Sequence, residues 1–147
     1  MGEVTLLLFA IVIILLPLIF YIKIVEFLKV RKNKKILQKI SVTNKEFNWL
    51  VLEKEFSNII RRVYIAWAKE DMSEVKEYVN NWYWRNQQIV FIEQWKSENL
   101  KNVSRLKILE KIRPMYLELT AFENFEGTRI AVAINVEAED YLKDRDT

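Results

Sequence analysis

The fold class is indicated by residues 106–138, LKILEKIRPMYLELTAFENFEGTRIAVAINVEA. The apolar side chains of this stretch recur at every second position, which is the period of a half-buried strand. A turn at residues 124–127 interrupts the pattern, and Gly127 can supply a positive φ there. Pro114 is expected to end the first strand or to lie at a bulge. We predict three strands, the last two antiparallel: Leu106–Ile112, 115–122 and 130–138.

Upstream of this stretch the apolar period is 3.6, so helices are expected. Thr43 followed by Glu46 fits a capping box, and Asp71 followed by Glu74 repeats it. The predicted helices are Lys45–Ala68, a short one from Asp71 through Val79, and an aromatic one over Asn81–Lys96. Helices followed by an antiparallel sheet give an α+β domain whose helices cover a concave sheet face.

The N-terminal region carries a long uncharged run, Val4–Ile22, which as a helix reaches about 28 Å. This length approaches the bilayer core, so the run is predicted to be a transmembrane anchor, with Pro17 tolerated inside it. A cleaved signal peptide is disfavoured, because only Glu3 precedes the run and no small-residue cleavage pattern follows it. The helix is expected to continue towards Ile40 through the basic residues that follow.

A basic collar follows the anchor, with seven bases against one acid, Glu26, over residues 23–39. The positive-inside rule then predicts a single-pass protein of a bacterial or mitochondrial inner membrane, with its C-terminal domain in the cytoplasm or matrix. The collar is expected either to contact anionic lipid headgroups or only to set this topology. The predicted headgroup contacts are Lys29, Arg31, Lys32, Lys34, Lys35 and Lys39; the seventh base is Lys23.

Composition excludes several classes of function. Residues 40–147 hold sixteen bases and eighteen acids, so the net charge of +3 reports the collar and indicates no nucleic-acid partner. The chain has no cysteine and no histidine, which excludes thiol chemistry and the Ser-His-Asp constellation. No metal and no cofactor are expected. The predicted organisation is an anchor at 1–22, a basic juxtamembrane helix or linker at 23–42, and one domain at 43–147.

The element order and certain residues resemble a known family. A long helix with Glu55-Phe56, Ala66-Trp67 and Asp71, then an aromatic helix and strands ending near Asp140-Tyr141, is similar to the C-terminal domain of subunit forty-four of the mitochondrial inner-membrane translocase. The resemblance covers roughly residues 51–147. It implies a cone-like fold of the nuclear transport factor two type, with an apolar pocket between helices and sheet.

That resemblance implies a membrane-associated scaffold that binds anionic lipid and holds a protein partner, such as translocation or assembly machinery. Relatives usually continue into a further strand, whereas this chain stops at Asp146-Thr147. The domain is therefore expected to be truncated or one strand short, which would leave an open edge on the strand over 129–138. Candidate residues of the apolar pocket are Trp67, Trp84, Phe91, Trp95 and Tyr116, although aromatics at helical spacing are more often plain core.

Two alternatives accompany this adaptor hypothesis, which includes no catalytic residue. A type IV secretion or conjugation subunit also joins one span to such a domain, but on the external side, against the charge count. A pocket enzyme or ligand binder of the same superfold would need a carboxylate general base in an apolar site, for which Glu110 and Glu118 are the candidates. An exposed Glu110 would remove the enzyme alternative.

Overall fold

A computed structural model describes the backbone of residues 2–121 and 125–146, and side chains within these ranges from residue 13 onward. It is an α+β structure whose two strands form a two-stranded antiparallel sheet. The helices are α1 (Gly2–Ile40), α2 (Trp49–Lys69), α3 (Asn81–Arg85) and α4 (Glu93–Ser97), and the strands are β1 (Leu100–Glu118) and β2 (Arg129–Asp144). Single 3₁₀ turns occupy Lys45–Phe47 and Ser73–Val75, and a π-helical segment, Asn86–Ile92, joins α3 to α4.

The predicted cone of helices on a curved sheet is wrong. Leu106–Ile112 and residues 115–118 of the second predicted strand belong to one 19-residue strand, β1, which passes through Pro114. Residue 122, the last of that prediction, lies outside the described residues. In a two-stranded sheet alternate N–H groups point away from the partner strand, so a proline is accommodated on the unpaired side. Within the described ranges the sheet has two strands, and two or three helices do not pack on it as a cone.

The predicted transmembrane anchor and single-pass localisation are also wrong. Among the described residues, no helix has an apolar stretch long enough to cross a membrane. The uncharged run with described side chains is residues 13–22, about 15 Å of helix, and Lys23, Glu26 and Lys29 follow it. The side chains of Val4 through residue 12 lie outside the described ones.

One helix boundary differs from its prediction because the residue predicted to cap the start of α2 bonds to the end of α1 instead. Thr43 does not cap α2; its hydroxyl donates to the carbonyl of Ile40 at 3.1 Å and so closes the end of α1. α2 accordingly begins at Trp49, after the 3₁₀ turn. The aromatic segment begins at Asn81 as predicted, because the Asn80 side chain accepts the N–H of Tyr83 at 2.7 Å.

The chain divides into two compact units, and the first comprises Met1–Trp49 and Arg113–Ala133. Within it, Glu26 pairs with Arg113, and the buried Asn33 amide donates to the Pro114 carbonyl at 3.0 Å. Leu37 is fully buried on the same face of α1. The C-terminal half of α1 is thus packed on one side and exposed on the other.

The second unit comprises Leu50–Ile112 and Ile134–Thr147. Its core joins α2, the Ser73–Val75 turn and the π-helical segment, and its members are Ala66, Met72, Val75 and Ile92. Asp71 shapes the turn by accepting both the N–H and the hydroxyl of Ser73, at 2.9 and 2.5 Å. These hydrogen bonds from Ser73, the side-chain one first, lower the pKa of Asp71.

Candidate functional site

The first candidate surface is the exposed side of α1, which we call the basic face: Arg31, Lys32, Lys35 and Lys39. All four side chains are exposed, whereas Asn33, Leu37 and Ile40 on the opposite side are buried. Within the described ranges none of the four forms an ion pair. Four positive charges are therefore available to an external partner.

The other two predicted headgroup contacts differ from these four. The Nζ atom of Lys34 lies 4.9 Å from the ring centroid of Trp49, and the side chain is half-buried. A cation over an indole face already has a favourable partner. Lys29 is exposed but precedes buried Asn33 by one helical turn, so it lies at the margin of the packed side. The structure thus separates six predicted residues into four outward ones, one marginal one and one that contacts the protein.

Apolar side chains share the exposed side of α1 with the basic face. Phe20, Ile24, Phe27 and Leu28 precede Arg31 by three to eleven residues, at spacings that keep them on one stripe. Their exposed fractions are 65 % for Phe20, 56 % for Ile24, 62 % for Phe27 and 55 % for Leu28. Such a contiguous exposed apolar patch is typical of an interaction site.

The second candidate surface lies in the second unit and is an open cavity of about 410 Å³, which we call the aromatic cleft. It is lined by Trp67 from α2, Gln87 and Phe91 from the π-helical segment, Trp95 from α4, Asn102 from β1, and Asp140, Tyr141 and Leu142 from β2. Cavities of this size take small molecules or a few residues of a peptide.

Two kinds of support hold the aromatic rings of the cleft. Trp67 and Trp95 pack against the core formed by Ala66, Met72, Val75 and Ile92, so their positions are fixed from behind. The rings of Phe91 and Trp95 are neighbours one turn apart, with centroids 5.8 Å apart and planes inclined at 35°. Phe91 and Tyr141 remain 41 % and 48 % exposed, so the cleft presents aromatic surface to solvent.

Polar groups in the cleft are unevenly satisfied. Asn102 is 3 % exposed, and its backbone N–H donates to the Glu70 carboxylate at 2.9 Å. Its side-chain amide nitrogen, however, has no hydrogen-bond partner among the described residues. The exposed Asp140 carboxylate likewise forms no hydrogen bond or ion pair within the described ranges. A free carboxylate therefore lies beside the aromatic rings of the cleft, and the Asn102 amide nitrogen is buried below its surface.

A network around Glu70 fixes the strand ends beside the cleft. Glu70 is 6 % exposed with a φ of 55°, and its carboxylate accepts from Arg145 at 2.5 Å as well as from Asn102. The backbone N–H of Arg145 donates to the Asn99 carbonyl at 3.0 Å, and the Asn99 amide donates to Asp146 at 2.8 Å. The last residues of β2 are thereby tied to the end of α2 and the start of β1.

Of the predicted pocket residues, the structure brings Trp67, Phe91 and Trp95 together in the cleft. Trp84 instead packs against the core, with the Lys76 ammonium 4.4 Å from its ring centroid. Tyr116 belongs to the first unit and is 54 % exposed. The sequence reasoning missed Asp140 and Asn102, because only the pairing of the two strands places them beside the helices.

The two carboxylates considered for the enzyme alternative do not lie in an apolar site, as a general base of that kind would have to. Glu110 and Glu118 are both exposed, so neither is an apolar-site general base, and the condition set for that alternative fails. Among the described residues there is also no group of three carboxylates that could hold a metal ion.

Comparisons of the chain with known proteins found no relative. No protein-family model matches the sequence, and neither the curated proteins nor the solved structures include a match. The resemblance to the translocase subunit family therefore stays a prediction.

Proposed function

We propose that this protein is an adaptor that contacts an anionic membrane surface through α1 and holds a protein partner through its second unit. The observation that carries the proposal is the exposed side of α1, where an apolar stripe runs directly into the basic face. The opposite side of the same helix is packed within its own unit. This helix therefore has one side available for an external surface.

Charge and apolar area support the same partner. Each base near an anionic bilayer surface contributes about 1 kcal/mol, so the four residues of the basic face contribute about 4 kcal/mol. Phe20, Ile24 and Phe27 can enter the headgroup region from the same side, as apolar faces of interfacial helices do. The helix then lies at the interface, with its basic face at the level of the phosphates.

Vesicle flotation with the full chain tests the membrane contact. We expect binding to vesicles of phosphatidylcholine with 30 % phosphatidylserine, weak binding to phosphatidylcholine alone, and a decline with rising salt because screening weakens surface charge interactions. The R31A/K32A/K35A/K39A variant should lose most of the binding.

A charge-matched control is available in the same chain. Lys45, Lys54, Lys101 and Lys111 are exposed bases outside the basic face, so the K45A/K54A/K101A/K111A variant removes the same charge. This variant should float like the wild type. Equal loss in both variants would show that net charge alone attracts the protein, and would contradict a specific role of α1.

The two alternative functions are less well supported than the adaptor hypothesis. No observation on the described residues favours the secretion-subunit interpretation. The enzyme interpretation required a buried carboxylate at Glu110 or Glu118, and both are exposed. The adaptor hypothesis uses features that are present in each unit.

A further inference from the structure

We infer that the aromatic cleft binds an extended peptide segment through an Arg or Lys side chain, with Asp140 facing the cation. The inference rests on the proposed function, because it names the chemistry of the partner that the adaptor holds.

The lining of the cleft selects for a cation. Four of its eight residues are aromatic, one is the carboxylate Asp140, and none is basic. Aromatic faces attract ammonium and guanidinium groups through the ring quadrupole, and a nearby carboxylate adds a direct charge interaction. A fatty acid would place its own carboxylate beside Asp140, so the same lining disfavours an acidic apolar ligand.

The second unit already contains this type of contact elsewhere. The Arg62 guanidinium lies 5.5 Å from the Tyr78 ring centroid, and the Lys76 ammonium lies 4.4 Å from that of Trp84. In the part of the chain that the structure describes, no Lys or Arg lies over a ring of the cleft. The cleft is thus an aromatic site whose cation must come from another molecule.

Charge near the cleft favours approach of a basic segment. Residues 134–147, which include three residues of the cleft, hold five acids and two bases. Of these acids, Asp144 and Asp146 are engaged by the Asn99 amide, at 3.3 and 2.8 Å, whereas Asp140 is free among the described residues. A local excess of negative charge raises the rate of encounter with a positive ligand.

The proposed protein partner favours a peptide over a free organic cation as the occupant. A peptide presents an Arg or Lys side chain to Asp140, and its neighbouring backbone covers the exposed aromatic surface of Phe91 and Tyr141. The volume of about 410 Å³ accommodates the side chain and its neighbouring backbone.

Titration of the full chain with short peptides tests the inference without any membrane. The probes are acetylated, amidated Gly-Gly-Arg-Gly-Gly and the same peptide with citrulline, which keeps the shape of arginine but has no charge. Fluorescence of the cleft tryptophans and ¹H–¹⁵N spectra report binding. We expect the arginine peptide to bind about tenfold more tightly than the citrulline peptide, since a desolvated cation–π contact and an ion pair are both lost.

Two variants with the same charge change locate the interaction. Asp140→Asn should weaken binding of the arginine peptide about fivefold to tenfold and leave binding of the citrulline peptide unchanged. Glu137→Gln lies three residues earlier on β2, is exposed and does not line the cleft, so it should bind like the wild type. Circular dichroism of both variants shows that each is folded.

Several outcomes would overturn the inference. Equal affinity for the arginine and citrulline peptides would make the cleft a plain apolar surface, and no binding of either peptide would remove it as a peptide site. Tighter binding of phosphocholine than of the arginine peptide would assign the cleft to a lipid headgroup instead. Vesicle flotation is measured separately, so a failure of the peptide site leaves the membrane contact of α1 standing, and the reverse.

Discussion

The two units of this chain differ in where they place positive charge. The first unit holds ten bases and six acids, and four of the bases lie together on one exposed side of α1. The second unit holds thirteen bases and fourteen acids, and the eight residues that line its aromatic cleft include four aromatic residues, one carboxylate and no base. One chain therefore presents a cationic surface and a cation-accepting cavity, which suit partners of opposite charge.

Lysine and arginine also serve different purposes in the two units. In the second unit Arg62, Lys76 and Arg145 are each engaged by an aromatic ring or by a carboxylate. In the first unit the basic face has no such partner among the described residues. A cluster of free cations on one side of a helix, rather than net charge, therefore distinguishes the surface proposed to meet an anionic partner.

Truncations of core side chains should have the largest effects on stability, and each should affect one unit only. Ile92→Ala removes a side chain that is 1 % exposed and should cost about 3 kcal/mol of unfolding free energy. Hydrogen exchange measured by mass spectrometry should accelerate in residues 81–97, and peptide binding should weaken. Exchange in residues 24–40 and vesicle binding should stay as in the wild type.

The matching change in the first unit is Leu37→Ala, which also empties a fully buried position and should cost about 3 kcal/mol. Here exchange should accelerate in α1, and vesicle binding should fall because the packed side no longer orients the basic face. Acceleration of the same size in residues 81–97 for this variant would contradict the division into two units.

Loss of the Glu70 network should cause the next largest decrease in the free energy of unfolding. Glu70→Ala leaves Arg145 and the N–H of Asn102 without their shared acceptor and should cost about 2 kcal/mol, below the cost of a fully buried pair because Arg145 is 30 % exposed. Urea unfolding measures the cost. A double-mutant cycle of the wild type, Glu70→Ala, Arg145→Ala and the double variant measures the coupling between the two residues. If it shows no coupling, the ion pair does not hold the end of β2.

A smaller effect is expected at the Asp71 turn, and it depends on pH. Asp71→Ala removes an acceptor of two hydrogen bonds and should cost about 0.5–1 kcal/mol at pH 7, as for an exposed cap. Because the folded-state pKa of Asp71 is lowered, its stabilisation is present above the unfolded pKa and is lost as the pH falls through the folded pKa. The difference between wild type and variant should therefore shrink below about pH 4. A constant difference down to pH 2 would show that the charge plays no part.

The smallest effect should come from Lys34, which sharpens the contrast between bound and free lysines. Lys34→Met removes the cation over Trp49 and should cost about 0.5 kcal/mol of stability, with little change in vesicle binding. Lys32→Met should do the opposite, weakening vesicle binding about fivefold while stability is unchanged. Similar effects of the two changes on vesicle binding would contradict the selection of the basic face.

Local signals in the sequence predicted part of the fold. The aromatic helix was placed correctly from residue 81 because its face and its first residues are encoded within a few positions of one another. The α+β class followed from the change of period after residue 101. Thr43 misled because a threonine between two helices can bond either to the helix after it or to the carbonyl before it, and only geometry decides.

Long-range pairing limited the prediction of the site. Glu70 and Arg145 are 75 residues apart, and nothing local marks them as partners. Asn102 and Asp140 enter the cleft only because β1 and β2 are each longer than the alternating pattern suggested. The three cleft aromatics Trp67, Phe91 and Trp95 were identified because helical spacing already placed them on inward faces.

In the proposed function, the exposed side of α1 meets an anionic bilayer at its interface. Because the chain has no cysteine, a spin label at Leu28→Cys can be compared with one at Val42→Cys, an 81 % exposed position beyond the end of α1. On addition of vesicles containing phosphatidylserine, we expect the oxygen accessibility of the label at position 28 to rise to the value of the bilayer interface. The oxygen accessibility of the label at position 42 should not change. An unchanged signal at position 28, or the same change with neutral vesicles, would contradict the proposed membrane contact.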